Sequence, residues 1–544
     1  MRARALTLIV LLALSAAAVA QVQTYPWNNS FRNQSTSGLL EDDLDLMLGS
    51  YGYLDPARMS LIDGKRLYTN LSNIYTQEEE QFNPDDAGTY VIGGNSDIFG
   101  YGKLGLLYSQ NTNKNRDSSA YENIYMTETD PANPGYDFKS VEKYQYQNQS
   151  TQDEKYYFLG WAKQVNDMKL GLAFKREQYS YMYDYFEAYD YNEQNMVTRQ
   201  TTYNEAYNDT TSNGYTESLN YLGGSVWKPL NDKADISLRL AVGFGGGKNI
   251  DEYDYKYDDG IPGGDSYNET EDHNYTTEYS GFAFSGGGAY VRKWSDKVDT
   301  RLDLQYSHMS SKPKSGTTWE ENYHDQNLSL TSDYYDEGYT GTLEGSAADN
   351  DIDFRMVTKA RMDKAVFALG FGLSTGNSDQ THTIDEANTS VYRYSDQNTD
   401  TLPTSYVQTS TWKEQWEYMY TTSYLSFSFP VCVEFDLTKK IVFRLGARHQ
   451  IYNYDYTDNQ TLTGGSDKTT IVTRYGNGYT TTTYSPDPLD EQTGYSHTYN
   501  YRGSYTDYTY GAGWKVTENL QLDFMGFAQL TDLTNWKLSA VFKF

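Results

Sequence analysis

Residues 534–544 read Thr534-Asn535-Trp536-Lys537-Leu538-Ser539-Ala540-Val541-Phe542-Lys543-Phe544. Trp536, Leu538, Ala540, Phe542 and Phe544 share one parity, and Lys537, Ser539, Val541 and Lys543 share the other. An extended chain with this pattern presents one apolar face and one mostly polar face. In a soluble sheet such a final strand can fray. In a membrane barrel it must pair along both edges, because hydrocarbon offers no partner for open backbone groups. The stretch therefore predicts the closing strand of a barrel, provided that the same alternation recurs upstream.

It does recur, around a series of short turns that each carry an acidic residue: Asp97, Asp167, Asp232, Asp296, Asp363, Asp436 and Glu518. Their intervals are 70, 65, 64, 67, 73 and 82 residues, the spacing of a repeated supersecondary unit. Strands leave these turns with clean alternation. Ile236, Leu238, Leu240, Val242 and Phe244 interleave with Ser237, Arg239, Ala241 and Gly243, a nine-residue face close to the roughly 9–11 residues of a tilted membrane strand. Leu170 to Phe174, Leu302 to Tyr306 and Ile441 to Ala447 follow the same rule, as do the incoming runs Ile352 to Thr358 and Leu425 to Val433. Seven turns join fourteen strands. Arg66 to Thr76 in front and Thr534 to Phe544 behind make sixteen, with fourteen as the alternative because the strands before Asp97 are weakly patterned. The fold class expected is all-β, an antiparallel up-and-down transmembrane barrel.

The alternation assigns faces. Lys175, Arg239, Asp299, Arg301, Asp303, Asp353, Arg355, Arg444 and Arg448 fall on the polar face and are expected to line a lumen, where water makes charge cheap and charge biases ion passage. Cross-strand salt bridging is the structural alternative for them. Gly243, Gly245, Gly370 and Gly372 on that face would leave room. Trp161, Trp227, Trp294 and Trp514 each stand shortly before a short turn, where an interfacial aromatic girdle would sit. Between the short turns lie polar stretches of about 25–45 residues by this parse, read as long loops on the opposite side. They include Tyr179–Tyr191, Asp251–Tyr279, Thr317–Tyr339, Thr381–Trp416 and Tyr452–Tyr499, and their alternating Tyr suits strands continued beyond the bilayer.

The terminal Phe with apolar residues stepping back by twos resembles the C-terminal assembly signal of Gram-negative outer-membrane β-barrels. That resemblance implies an outer-membrane, porin-like protein handled by the barrel-assembly machinery, with its signal carried by Trp536, Leu538, Ala540, Phe542 and Phe544. At the other end, Arg2 and Arg4 precede an apolar run to Val19 and an Ala18-Val19-Ala20 site, so residues 1–20 are expected to be a cleaved signal peptide. Residues 21–36 read as a loose leader. Ser37 is a candidate cap for a helix with Leu40, Leu44, Met47 and Leu48 on one side and Gly49 as its stop. This segment, 21–65, is a candidate plug for the barrel of residues 66–544. The order of elements is similar to that of the long-chain fatty-acid transporter family, an N-terminal hatch before a barrel, although none of that family's motifs is matched residue by residue.

Composition narrows the functions. Tyr is 55 of 544 residues and Gly 44, the formal charge is −30, and the mean hydropathy is −0.76, so the chain is polar overall despite its apolar strand faces. Such a balance excludes nucleic acid as a partner. One cysteine, Cys432, excludes an internal disulfide. Asp254, Asp258 and Asp259 lack the ligand spacing of a calcium loop, so no metal or other cofactor is expected. Six scattered His and the lack of a nucleophile elbow or zinc helix point away from an enzyme. The expectation is a passive, porin-like channel for small polar or ionic solutes, integral to the outer membrane, with extracellular loops and periplasmic termini. The alternatives are a hydrophobic-substrate transporter with the N-terminal segment as plug, and a receptor or adhesin acting through its loops. Outer-membrane lipid and small solutes are the expected partners, with a homo-oligomer left open for want of an identifiable interface patch.

Overall fold

A computed structural model describes residues 30–49, 54–73, 88–127, 138–195, 198–262, 264–326, 331–396, 404–475, 480–485, 494–527 and 537–544. The signal-peptide assignment and Trp536 lie outside these residues. Strands are β1 (Arg66–Asn73), β2 (Gly88–Asp97), β3 (Lys103–Thr127), β4 (Phe138–Val165), β5 (Met168–Asn195), β6 (Thr201–Asn231), β7 (Ala234–Gly260), β8 (Ser266–Ser295) and β9 (Val298–Gln326). They continue as β10 (Thr331–Arg361), β11 (Ala365–Asp396), β12 (Thr404–Asp436), β13 (Ile441–Tyr475), β14 (Thr480–Ser485), β15 (Ser496–Lys515), β16 (Leu520–Phe527) and β17 (Lys537–Lys543). All pairings are antiparallel between chain neighbours, with β13 pairing β15, and β1 pairs both β2 and β17. The sheet thus closes on itself as a sixteen-strand barrel, with β14 as a short addition to the far end of β13. Lys65 and Phe544 seal the join by exchanging backbone hydrogen bonds of 3.3 and 3.1 Å. Closure leaves no sheet edge at that level, the condition for a β structure in lipid.

All seven acidic turns are where the spacing puts them: the chain reverses at 98–102, 166–167, 232–233, 296–297, 362–364, 437–440 and 516–519. Over most of their described residues the long polar stretches continue the strands of the wall, as their alternating Tyr suggested. Tyr179–Tyr191 lies wholly within β5, and at two far ends the flanking strands are joined by hydrogen bonds between described residues, Asn195 N–H donating to Gln200 O at 2.9 Å and Ile261 N–H to Asp265 O at 2.8 Å. The physical reason is their alternation, which lets each Tyr-rich strand satisfy its backbone on both sides. On β7 the outward apolar face ends at Phe244, and sixteen further residues carry the strand about 50 Å beyond it at ~3.3 Å per residue. The wall is tall from β3 to β13, whereas the described parts of β1, β2, β16 and β17 hold 8, 10, 8 and 7 residues.

The outward face is apolar and uncovered over the band next to the short turns: Leu238 is 68% exposed, Leu240 62% and Leu172 62%. Leu538, Ala540 and Phe542 of β17 share the parity of that face, Ala540 being covered there, and Phe544 follows just beyond the strand, while Val541 joins the interior. Trp161, Trp294 and Trp514 take it too, Trp294 being 58% exposed. Trp227 does not. It is buried inside, because it shares parity with inward Ser225 rather than with outward Leu222 and Val226.

Candidate functional site

The interior holds the N-terminal segment. Its first helix, α1 (Phe31–Ser35), lies where the sequence suggested a loose leader, capped by the Ser30 hydroxyl, which accepts from Asn33 N–H at 3.0 Å. The amphipathic helix starts later than expected. Asp42, not Ser37, caps α2 (Asp43–Leu48), accepting from Leu44 N–H at 2.9 Å while Asp45 accepts from Asp42 N–H at 2.8 Å. Ser37 and Gly38 have φ of 52° and 81°, which turns the chain and ends α1 before α2 can begin. Gly49 caps the end as predicted. Pro56–Leu61 then forms a 3-10 turn.

Apolar burial seats this plug. Leu44, Met47, Leu48, Leu54, Met59 and Ile62 form one cluster with wall residues from β1, β2, β3, β4, β5, β7 and β17. Leu39 and Leu40 form another with Val357, Ala368 and Cys432, and Ala57 a third with Trp227 and Ala289. Leu39, Met47 and Met59 are 0% exposed. The wall is thinned to receive them. A Cβ on Gly171 would fall 2.2 Å from Ala57 N, and one on Gly446 2.6 Å from the Ser37 hydroxyl, so only glycine lets the plug backbone come this close. Gly370 likewise leaves its room to Leu39 rather than to water.

Charge orients it. Glu41 binds Arg58 through both oxygens at 2.8 and 2.7 Å and meets Arg301 of β9 at 3.5 Å. Arg301 pairs with Asp303 at 2.5 Å, and Asp303 with Arg239 at 2.8 Å, all three nearly buried. Burial alone would raise the Glu41 carboxyl, but Arg58 and then Arg301 outweigh it and hold it well below the usual carboxylate range. Trp227 closes this cluster, donating its indole N–H to Asp55 at 2.9 Å with Arg58 and Arg301 over its ring. On the far side Arg32 forks onto Glu434 at 2.8 and 2.6 Å, and Arg444 joins Glu434 at 2.9 Å to Asp523 at 2.7 Å. Arg355 donates to Gly38 O at 2.9 Å, Arg66 to Asp43 at 2.7 Å, and Lys103 to Ile62 O and Gly64 O at 2.6 and 2.8 Å.

The nine polar-face residues therefore all point inward, but most do not face a water-filled pore. Arg239, Arg301, Asp303, Arg355 and Arg444 make up the socket of the plug. Asp299 is paired with Arg361 and Asp353 with Ser374. Lys175 lies 4.6 Å from the centre of the Tyr221 ring and 2.9 Å from Glu177. Arg448, with Asp507 at 3.0 Å, is about half exposed and stands in the open part of the lumen. Sequence reasoning missed Arg32, Glu41, Asp55, Arg58, Gly171 and Glu434 as a unit, since nothing local ties residues separated by up to 402 positions.

No protein-family model and no curated protein matches this chain. Among solved structures it is similar to the Pseudomonas putida toluene transporter TodX (10% identity, 81% of this chain and 96% of that one, TM-score 0.25) and to the Acinetobacter baumannii siderophore receptor PiuA (9%, 89% and 82%, TM-score 0.24). It is also similar to a Pseudomonas aeruginosa FadL homologue (11%, 95% and 98%, TM-score 0.22). Likeness at this level carries no argument about function, which rests on the chain's own geometry.

Proposed function

We propose that this protein is an outer-membrane transporter whose barrel is gated by its N-terminal segment, rather than an open diffusion pore. The observation that carries the reading is the buried, ion-paired plug, whose clusters and hydrogen bonds take in side chains from strands all round the barrel. The exposed apolar band and the closed sheet support a bilayer setting, with the short turns and both ends of the barrel on the periplasmic side and the tall strands outside. Passage of a small solute would require the plug to shift, so conduction by diffusion alone is the weaker of the two transport readings. We assign no catalytic step to it.

The test is conductance in planar bilayers of the refolded protein with and without residues 30–63. The expected result is a closed full-length protein and steady current after deletion. Equal, steady current in both forms would return the protein to the open-pore reading.

A further inference from the structure

Above the plug the two faces of the tall wall differ in charge balance, the outer one mixing Lys and Arg with carboxylates such as Glu252, Asp254 and Asp258. Among the described residues, inward positions of β3 to β13 and β15 on the far side of the plug carry only two Lys or Arg side chains, Lys175 and Arg448. Beyond the plug the other cations of these strands stand on the outer face, Lys248 and Lys256 on β7 among them. Facing inward are tyrosines and carboxylates. On β5 the inner face reads Tyr179, Tyr181, Tyr183, Tyr185, Glu187 and Tyr189. Neighbouring strands extend the same surface: Tyr189 stacks on Tyr207 with ring centres 5.5 Å apart, and Tyr207 donates to Glu187 at 2.5 Å. Tyr215 donates to Glu217 at 2.9 Å, and Tyr257 to Glu205 at 3.3 Å.

Two features show what such a wall takes. At its base the chain's own alkylammonium, Lys175 Nζ, lies over Tyr221 at 4.6 Å and Tyr156 at 5.8 Å while paired with Glu177 at 2.9 Å, so the inner tyrosine–carboxylate arrangement already holds one organic cation. Higher up, Asp349 on the inner face of β10 is 7% exposed, and one of its carboxylate oxygens has no hydrogen-bond partner. A concave surface of one sign concentrates counter-ions, and aromatic faces favour organic cations over hydrated metal ions. No group of three or more His, Cys, Asp or Glu is placed to hold a metal among the described residues.

We propose that the extracellular vestibule is a capture surface for organic cations, amines or quaternary ammonium compounds, which it delivers to the plug. This names the solute class of the proposed passage and rests on the transport reading, so binding is measured apart from conduction. The experiment is equilibrium dialysis of the refolded full-length protein in neutral detergent against benzyltrimethylammonium, benzyl alcohol and benzoate. Retention of the cation should exceed that of the neutral analogue by about tenfold at low ionic strength and fall towards it in ~1 M salt. The variant E187Q/E205Q/E217Q should weaken cation retention about fivefold, whereas the outer-face E252Q should leave it unchanged. Equal retention of cation and alcohol, or salt-independent retention, would overturn the proposal without any variant. If the cation is retained but plug deletion opens no current, the transport reading fails and the capture surface stands.

Discussion

At the scale of single residues, the plug is held by positions whose chemistry admits few substitutes. Glu41 sits between Arg58 and Arg301 with 8% of its side chain exposed. Glu41→Gln removes the carboxylate that Arg58 grips through both oxygens and leaves Arg301 with Asp303 alone, and should weaken plug docking by roughly 3–5 kcal/mol, the usual cost of breaking a buried pair from one side. The sole thiol provides the readout, since Cys432 is buried in one cluster with Leu39 and Leu40. Its labelling by a maleimide should be slow in the native protein and fast in the variant. Gly171→Val should act the same way by steric means, because its side chain would occupy the place of the Ala57 backbone. In that variant current should appear while the barrel stays folded. Unchanged current and labelling would show that the plug does not close the path.

At the scale of an element, α2 carries a device of opposite sign. Burial first, and then the charge of Asp45, raises the Asp42 carboxyl above its ordinary range, and burial raises Asp45 against the hydrogen bonds from Ser30 and Asp42. A carboxyl raised on docking favours the protonated, docked state, so its contribution is present at low pH and lost as pH rises through the shifted value. Plug docking should therefore loosen progressively as pH rises from the ordinary carboxylate value near ~4, through about 6 for Asp45, to about 8 for Asp42. Conductance of the full-length protein, measured across that window, should rise with pH, and Asp42→Asn should flatten the rise. An equal rise in wild type and variant would place the pH response outside α2.

At the scale of the whole molecule, the hydrogen-bonded ring closes without the plug, through β1 and β17. A protein lacking residues 30–63 should keep its β-sheet circular dichroism and unfold at a lower temperature than the full chain. Loss of sheet signal would mean instead that the barrel is built around its plug. The local pattern determined much of this architecture. Side-chain parity is fixed by strand geometry, so the inward set, the seven turns, the sixteen strands and the closing strand at Leu538 to Phe544 could all be read residue by residue. The same parity also carried the signal for Trp227, whose neighbours Leu222 and Val226 face out. Alternation says which way a side chain points and nothing about what it meets there. Whether Arg239, Arg301 and Arg444 face water or Glu41, Asp303, Glu434 and Asp523 depends on contacts between residues far apart in the chain, and on glycines such as Gly171 that leave room for a second backbone. Sequence thus determined the wall and its faces, because strand periodicity is local. The plugged lumen was decided by tertiary structure, because filling a cavity is a property of whatever segment can reach it and bury its own apolar face there.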